Sequence, residues 1–363
     1  MSETKAITTS LGERIRQKWF YSPWASVLTV GLGVILSIIV FFILRWALWD
    51  AVWTPNVEAC KASSGACWGF VVEKWRLIVF GRYPYELQWR PTLATLIIMV
   101  MLVITAIPRF WHGFAGRFVL FLWVLAFIAF FSLMLGGVFG LSHIDADMWG
   151  GLPLTVVLTL IGMTASIPLG ILLALGRRSS MPVISSLSTA YIEIARGVPL
   201  ITVLFVAAFI FPLFLPEEMR VDPFWRVAIA ITLFQAAYIA ETVRGGLQTI
   251  PKGQFEAARS LGFNNWHLYT RIILPQALVA VIPAFVNSLL SCFMDTSLVT
   301  VVSMYDLTGS LGLALGDAYW RNYFVEGYVF IVLIYFSLSF VVSRYSQWLE
   351  RYITGYRTLA CHR

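Results

Sequence analysis

The chain has 363 residues, of which 59% are hydrophobic and only 12% carry a charged side chain, and its mean hydropathy is +0.79. Soluble proteins have about 25% charged residues, so this composition excludes a soluble globular protein and indicates a polytopic membrane protein. The net charge of +7 would suit a nucleic-acid-binding protein. The distribution of Lys and Arg along the chain therefore decides whether this excess of positive charge points to nucleic acid.

Eight apolar runs in the sequence are long enough to cross a bilayer, which takes about 20 residues per span. Their apolar residues are continuous, whereas the strands of a membrane β-barrel alternate apolar and polar residues. Because the bilayer core offers no water to backbone groups, each run has to be a helix. We therefore predict an all-α polytopic membrane protein with about eight transmembrane helices. The runs cover approximately residues 27–44, 92–107, 118–140, 152–175, 199–215, 227–243, 277–294 and 327–342.

The basic residues predict the orientation of these spans. An even number of spans leaves both termini on one side of the membrane, and 17 of the 26 Lys and Arg residues fall on that side. Cytoplasmic loops carry the excess of Lys and Arg in membrane proteins, so both termini are predicted to be cytoplasmic. The first outer loop, at about residues 45–90, fits least well because it contains six basic residues. The positive charge thus indicates orientation, and no nucleic acid is expected as a partner.

Two of the four cysteines lie in the first outer loop. Cys60 and Cys67 flank the sequence Lys-Ala-Ser-Ser-Gly-Ala, a short, turn-forming stretch that can bring two thiols together. In a bacterial periplasm such a pair can form a disulfide, and the alternative is two unpaired thiols. His143, Asp145 and Asp147 alternate in another outer loop, but they form no tetrahedral ligand set and are expected to be solvated. We predict no metal site.

One loop between spans, at residues 244–275, has a pattern of its own. Gly245 and Gly246 are predicted to end the sixth span, and residues 254–261 are predicted to form a short helix with one apolar face. Gly262 is expected to stop this helix in a left-handed conformation, and Asn264 to cap a second short helix. From the pattern alone, this helix–glycine–helix elbow is either a docking element or a solvated connector.

Seven residues of this loop resemble the EAA loop of permease subunits of ATP-binding-cassette (ABC) importers. The family pattern is Glu-Ala-Ala, three residues, Gly, nine residues and Ile-x-Leu-Pro. This chain matches it with Glu256, Ala257, Ala258, Gly262, Ile272, Leu274 and Pro275. In that family the loop forms a coupling helix that sits in a groove of the ATPase subunit. The resemblance implies that the ATPase-coupling residues are Glu256, Ala257, Ala258, Gly262 and Pro275.

The resemblance extends over about residues 150–352, where five spans look like a type I, MetI-like permease core. Several segments are similar to the branch that imports polar amino acids (His, Glu, Gln or Arg), and residues 293–316 point to the general L-amino-acid permeases. Met294 and Val198 depart from the Lys and Thr that are common in this branch.

The resemblance and the apolar runs together predict the organisation of the chain. It begins with a cytoplasmic tail (1–26), followed by three extra transmembrane helices with a periplasmic loop at about 45–90 (27–149). The core (150–352) with its EAA loop (245–275) comes next, and a cytoplasmic tail (353–363) ends the chain.

The family implies a transport subunit of the bacterial inner membrane that moves polar L-amino acids into the cytoplasm and is not itself an enzyme. The expected partners are a cytoplasmic ABC ATPase dimer, a second and homologous permease chain, a periplasmic amino-acid-binding protein and membrane lipid. The chain has no G-x-x-x-x-G-K-[ST] sequence to cradle a phosphate. No cofactor is therefore expected on this chain, and ATP and Mg are expected on the partner ATPase.

Few ionisable residues fall within the spans, and these are functional candidates by default. Asp295, at the end of the seventh predicted span, could bind the ammonium group of an amino acid, with hydroxyl contacts from Thr296 and Ser297. The alternative is a carboxylate in an outer loop, surrounded by water. Two pairs spaced three residues apart, Glu241 with Arg244 and Glu193 with Arg196, are predicted to be structural ion pairs at the inner surface.

Two other classes of function fit a polytopic membrane protein. A secondary transporter would couple to an ion gradient through intramembrane carboxylates at broken helices, but the deeper parts of the predicted spans contain almost no acids. The polar elbow would also have no purpose in a secondary transporter. A third class is a membrane scaffold that transports nothing, and substrate uptake by a reconstituted complex would decide against it. Both alternatives are open to direct test by transport measurements.

Overall fold

The computed structural model describes residues 19–111, 113–216, 219 and 221–361, with side chains described as far as residue 352. Most of the predicted amino-terminal tail (1–26) and the last two residues of the carboxyl-terminal tail lie outside the described residues. Helices make up nearly all of the regular structure that is described. In these ranges the α-helices are α1 (Pro23–Leu44), α2 (Val57–Ala62), α3 (Gly69–Phe80), α4 (Trp89–Ala106), α5 (Gly113–Leu135), α6 (Gly151–Arg177), α7 (Pro182–Gly197), α8 (Leu200–Phe205), α9 (Pro223–Gln248), α10 (Lys252–Ser260), α11 (Asn265–His267), α12 (Leu274–Ala280), α13 (Ile282–Asp295), α14 (Leu307–Leu315) and α15 (Phe324–Cys361).

Polar residues followed by proline begin two of the long helices. The Ser22 side chain accepts a hydrogen bond from the Ala25 amide (3.1 Å) at the start of α1. The Asp222 side chain accepts one from the Phe224 amide (2.8 Å) at the start of α9. In both helices proline occupies the first turn, where its missing N–H would have no helical partner. The starts of these helices therefore follow from local sequence.

Seven helical segments of the described chain are long and apolar enough to cross a bilayer, and a bent pair of helices supplies an eighth. The pair consists of Pro182–Gly197 and Leu200–Phe214, which meet at 103°. These segments confirm the predicted all-α polytopic fold with about eight transmembrane helices. The seven single spans are Pro23–Trp49, Tyr85–Ala106, Gly113–Leu135, Gly151–Arg177, Pro223–Gln248, Ile282–Val302 and Arg321–Tyr352.

The chain divides into two compact units, residues 1–73 and 74–363. In the first unit, α1 has no buried residue among those described, as expected for a helix whose apolar side chains face lipid. A disulfide joins Cys60 to Cys67, with their Cα atoms 5.4 Å apart. Val52 pairs with Cys67 in a short β-bridge. These links fold the loop after α1 back on itself.

The second unit is built around the long helices α6 and α9, which pack closely through glycines of α6. A Cβ at Gly162 would lie 2.7 Å from Ile231, and one at Gly170 would lie 2.9 Å from the carbonyl oxygen of Ala236. Larger residues at these glycines would push the two helices apart. The interface between α6 and α9 therefore depends on residues that a hydrophobicity pattern does not single out.

The structure corrects the predicted end of the sixth span. Gly245 and Gly246 do not terminate it, because α9 continues to Gln248. A Cβ at Gly246 would lie 2.8 Å from the carbonyl oxygen of Ala277 in α12. This glycine permits two helices to approach each other and does not break a helix. The loop predicted to start at residue 245 accordingly starts only after α9 has ended.

Two other spans differ from their predicted limits. The fifth, predicted at 199–215, is the short arm Leu200–Phe214 after the bend, and it changes from α-helix to π-helix and then to 3-10 helix. The seventh, predicted at 277–294, runs instead from Ile282 to Val302. Its start moves because the helix breaks at Val281, and proline follows in the first turn of α13. Asp295 consequently lies inside this span.

Candidate functional site

The elbow at residues 252–267 has the local geometry that its sequence predicts. Helix α10 ends at Ser260, and Gly262 has a φ of +77°, a conformation that favours glycine. The Phe263 amide then donates to the carbonyl oxygen of Ala258 (3.1 Å). The Asn264 side chain accepts a hydrogen bond from the His267 amide (2.9 Å) and caps α11. The helix–glycine–helix elbow is thus confirmed as a structure.

The EAA residues divide into an outward and an inward set. Glu256, Ala257, Gly262 and Pro275 are exposed, whereas Ala258 is only 3% exposed and packs against the chain itself. The exposed residues are available to a partner protein. Ala258 instead packs α10 against the hydrophobic core.

The inward face of α10 is held by two contacts of Phe255. Its ring lies 6.2 Å from the ring of Tyr269. The guanidinium of Arg178, at the end of α6, lies 5.8 Å from the centre of the Phe255 ring. A cation within about 6 Å of an aromatic face is attracted to it. The elbow is therefore attached to a core helix as well as to the chain that follows it.

The predicted pathway residues lie together, but they differ in how open they are. Asp295 is half-buried, and the amide nitrogen of Gln235 donates to its carboxylate at 3.5 Å. Thr296 is fully buried, and its hydroxyl donates to the carbonyl oxygen of Phe293 (2.8 Å). Ser297 is half-buried. In the part of the chain that the structure describes, Asp295 has this amide as its polar partner and makes no ion pair.

Five charged residues from three helices form an ion cluster at the end of the unit that carries the elbow. Arg244 and Glu241 pair as predicted, with the Arg244 Nε atom 2.9 Å from the carboxylate. Arg177 donates to Glu193 at 2.9 Å and to Glu241 at 3.4 Å, and Arg196 lies 3.8 Å from Glu241. The predicted pair of Glu193 with Arg196 is therefore wrong, because each side chain reaches a different helix. We call Arg177, Glu193, Arg196, Glu241 and Arg244 the ion cluster.

A buried carboxylate at the opposite end of the unit was not predicted from the sequence. Asp306 is fully buried and begins α14, where it accepts hydrogen bonds from the Gly309 amide (2.9 Å), the Thr300 hydroxyl (3.0 Å) and the Tyr335 hydroxyl (3.0 Å). In the chain, Asp306 follows the span that ends at Val302 and precedes the span that begins at Arg321, so it lies outside both. Burial raises the pKa of its carboxyl group above the usual value for Asp. A local signal existed, since Asp followed by an apolar helical stretch is typical of a helix cap.

Gln235 is the second residue that the sequence prediction missed. It is only 3% exposed and lies within α9, in an otherwise apolar stretch. A polar residue in a spanning helix is a signal for function or for helix pairing. Its partner in the described chain, Asp295, could not be identified before the two helices were placed together.

No cluster of three metal-ligating side chains occurs among the described residues. His143 and Asp145 form an exposed pair at 3.2 Å. This exposure agrees with the expectation that the alternating loop residues are solvated.

Comparisons with known proteins identify the family. The family described as "Binding-protein-dependent transport system inner membrane component" matches residues 166–355. The inner membrane amino-acid ABC transporter permease protein YhdY of Escherichia coli strain K12 is 43% identical over 343 residues, covering 93% of this chain and 92% of YhdY. The glutamate/glutamine/aspartate/asparagine transport system permease protein BztC of Rhodobacter capsulatus is 35% identical, with the same two coverages.

A solved structure supports the same assignment over part of the chain. It is a crystal structure of an amino acid ABC transporter with histidines, which is 32% identical, covers 55% of this chain and 91% of its own, and has a TM-score of 0.50. Together with the apolar spans and the full-length relatives, these matches agree on one family. The chain belongs to the binding-protein-dependent transport system inner membrane components and is a multi-pass amino-acid ABC transporter permease of the inner membrane.

Proposed function

We propose that this permease imports polar L-amino acids into the cytoplasm and is driven by a separate ATPase that docks on its EAA elbow. The observation that carries the proposal is the exposed face of α10 with Glu256 and Ala257, which is held to the core through Phe255. A charged, exposed face on a helix beside the membrane suits a soluble partner better than lipid. Gly262, with its positive φ, keeps this helix short and fixes its angle.

The same proposal assigns the energy source and the partners. The chain has no phosphate-binding loop, so ATP and Mg would be bound by an ABC ATPase dimer on the cytoplasmic side. A second, homologous permease chain would complete the membrane part, and a periplasmic binding protein would deliver the substrate. The name of the matching family supports a binding protein as partner. Both termini would be cytoplasmic, on the side of the elbow.

The substrate class is supported by the relatives and by the chemistry of the core. BztC is named as a glutamate, glutamine, aspartate and asparagine permease, and the solved relative was crystallised with histidines. Each of these amino acids has an ammonium group that cannot enter hydrocarbon without a partner. A charge at the centre of a membrane span costs about 3 kcal/mol or more. The path therefore needs a negatively charged group to pair with the ammonium group.

Asp295 is our candidate for that acceptor. It lies inside the span Ile282–Val302 and has the neutral amide of Gln235 as its partner. An ammonium group would supply the counter-charge that it lacks. Ser297, which is half-buried beside it, would add a hydroxyl contact, whereas Thr296 would have to become exposed before it could do so.

Reconstitution tests the proposal. The chain is purified from its own membranes with the subunits that accompany it, and placed in liposomes with ATP inside and the binding protein outside. Radiolabelled L-glutamate, L-glutamine, L-aspartate and L-asparagine are then added in the presence of ionophores. We expect uptake with ATP and none with ADP. Uptake that needs an ion gradient and ignores ATP would instead identify a secondary transporter, and a purified chain without any ATPase would also contradict the proposal.

A further inference from the structure

The ion cluster joins three helices next to the elbow. Arg177 is at the end of α6, Glu193 and Arg196 are on α7, and Glu241 and Arg244 are on α9. The side chains of Glu241 and Arg177 are 23% and 25% exposed, so water screens their attraction only in part. The cluster is therefore a partly buried connection between the three helices, for which the attraction is greater than at an open surface.

The neighbouring residues Arg177 and Arg178 connect this cluster to the elbow. Arg178 lies over the ring of Phe255 in α10, and Arg177 binds Glu193 of α7 and Glu241 of α9. The backbone at the end of α6 thus holds two adjacent side chains with different partners. A displacement of α10 would be transmitted to α7 and α9 through this short segment.

Two routes lead from the cluster to the pathway candidate. Along α9, Glu241 is on the same helix as Gln235, whose amide contacts Asp295. Along α7, the chain bends through 103° after Gly197 into α8, which packs against the 3-10 segment Thr296–Val302. That segment begins at the residue after Asp295. The route along α9 and the route through α7 into α8 therefore lead to the same intramembrane site.

We propose that Arg177 is a positioning residue that couples movement of the elbow to the helices around Asp295. This inference rests on the proposed function, because it assumes that an ATPase moves the elbow. Arg177 would not touch the substrate. It would hold α6, α7 and α9 at fixed positions relative to one another. Closure of the ATPase would then change the surroundings of Asp295 as well as displace α10.

Among the residues of the ion cluster, Arg177 is also the one whose replacement should break this connection with the smallest loss of stability. If it is replaced by Gln, Glu241 still has Arg244 and Arg196 as partners. Glu193, whose side chain is 56% exposed, can be hydrated. Removal of Glu241 would instead leave three arginines without their common acid, which favours misfolding. Arg177→Gln therefore separates loss of coupling from loss of the fold.

The test compares ATP hydrolysis with uptake in the reconstituted complex. We expect Arg177→Gln to keep binding-protein-stimulated ATP hydrolysis within about twofold of wild type and to lower uptake of radiolabelled L-amino acid per ATP about tenfold, a typical coupling between sites. Arg178→Gln, which cuts the contact with Phe255, should have the same effect. Arg177→Lys should restore most of the ratio, because it keeps the charge. Arg344 is an exposed arginine that donates a hydrogen bond to Gln347. Arg344→Gln is therefore the matched control, and its ratio of uptake to ATP hydrolysis should equal that of the wild type.

The outcomes separate this inference from the proposed function. A wild-type ratio of uptake to ATP in Arg177→Gln would overturn the positioning role. A parallel loss of hydrolysis, uptake and complex yield in both Arg177→Gln and Arg177→Lys would also overturn it, because it would mark the residue as structural. If the wild-type complex itself shows no ATP-dependent uptake, the proposed function fails first.

Discussion

Asp295 is an acidic residue within the otherwise uncharged span Ile282–Val302. The sequence was sufficient to single it out as a candidate, because an acid next to two hydroxyl residues is conspicuous beside an apolar stretch. Its depth in the span and its amide partner depend on where α9 and α13 meet, and no local pattern encodes that meeting. The break of the helix at Val281 moves the seventh span along the chain and places Asp295 inside it.

Replacement of Asp295 by Asn should lower ATP-driven uptake about tenfold to a hundredfold, the effect expected when a charged hydrogen bond of about 1.5–3 kcal/mol is lost. The side chain keeps its size and can still contact Gln235, so the fold should persist. Uptake by the reconstituted complex measures the effect. Asp145→Asn, at a side chain that is 80% exposed, is the control. Equal uptake by the Asp295 and Asp145 variants would remove Asp295 from the pathway.

Asp306 yields a prediction about pH. Burial raises its pKa in the folded protein above the 3.8 that is usual for Asp, so the folded state binds this proton more tightly than the unfolded state does. Its contribution to stability is therefore fully present below pH 3.8 and declines as pH rises through the folded pKa. The melting temperature of the wild type relative to that of Asp306→Asn should fall as pH increases over this window. Thermal unfolding in detergent measures the difference, and a difference that grows with pH would contradict the assignment.

At the scale of elements, glycine has two roles in this chain that a sequence pattern does not separate. Gly262 ends a helix at positive φ, as its position after a polar helix predicts. Gly246 lies within α9 and allows the backbone of α12 to approach. The first role is local and was predictable, whereas the second depends on a distant helix and was not. The same limit explains the mistaken Glu193–Arg196 pair, since Arg177 became a competitor only once α6 and α7 were packed together.

The elbow should be sensitive to changes at both its hinge and its outer face. Proline at Gly262 cannot adopt a φ of +77° and removes the amide N–H that donates to the carbonyl oxygen of Arg259 at 2.9 Å. Glu256→Lys reverses an exposed charge and leaves the local fold intact. Both variants should remain in the membrane and lose uptake. Membrane fractionation and transport assays check this, and normal transport by both would refute coupling through the elbow.

At the scale of the whole molecule, the distribution of Lys and Arg supports the proposed orientation, and the predicted outer loop at 45–90 contains six of these residues. Five of the six basic residues in that predicted loop have partners within the chain, namely Arg45, Lys74, Arg76, Arg82 and Arg90. Lys74 forms an ion pair with Asp317 at 2.7 Å, and buried Arg90 donates to the Ser142 carbonyl oxygen at 2.8 Å. Lys74 and Arg90 contribute to folding the end of the unit opposite the elbow. This is a physical reason for basic residues at that end, whichever side of the membrane it faces.

The orientation can be read directly with thiol reagents. Asp145 and Ser180 are both exposed, and they lie in loops at opposite ends of α6. Because α6 is long enough to cross the membrane once, a membrane-impermeant maleimide added to intact spheroplasts should label Asp145→Cys above the wild-type background. Ser180→Cys should be labelled only after permeabilisation. The reverse pattern would place the elbow outside, where no ATP-driven subunit could reach it, and would overturn the proposed direction of coupling together with the topology.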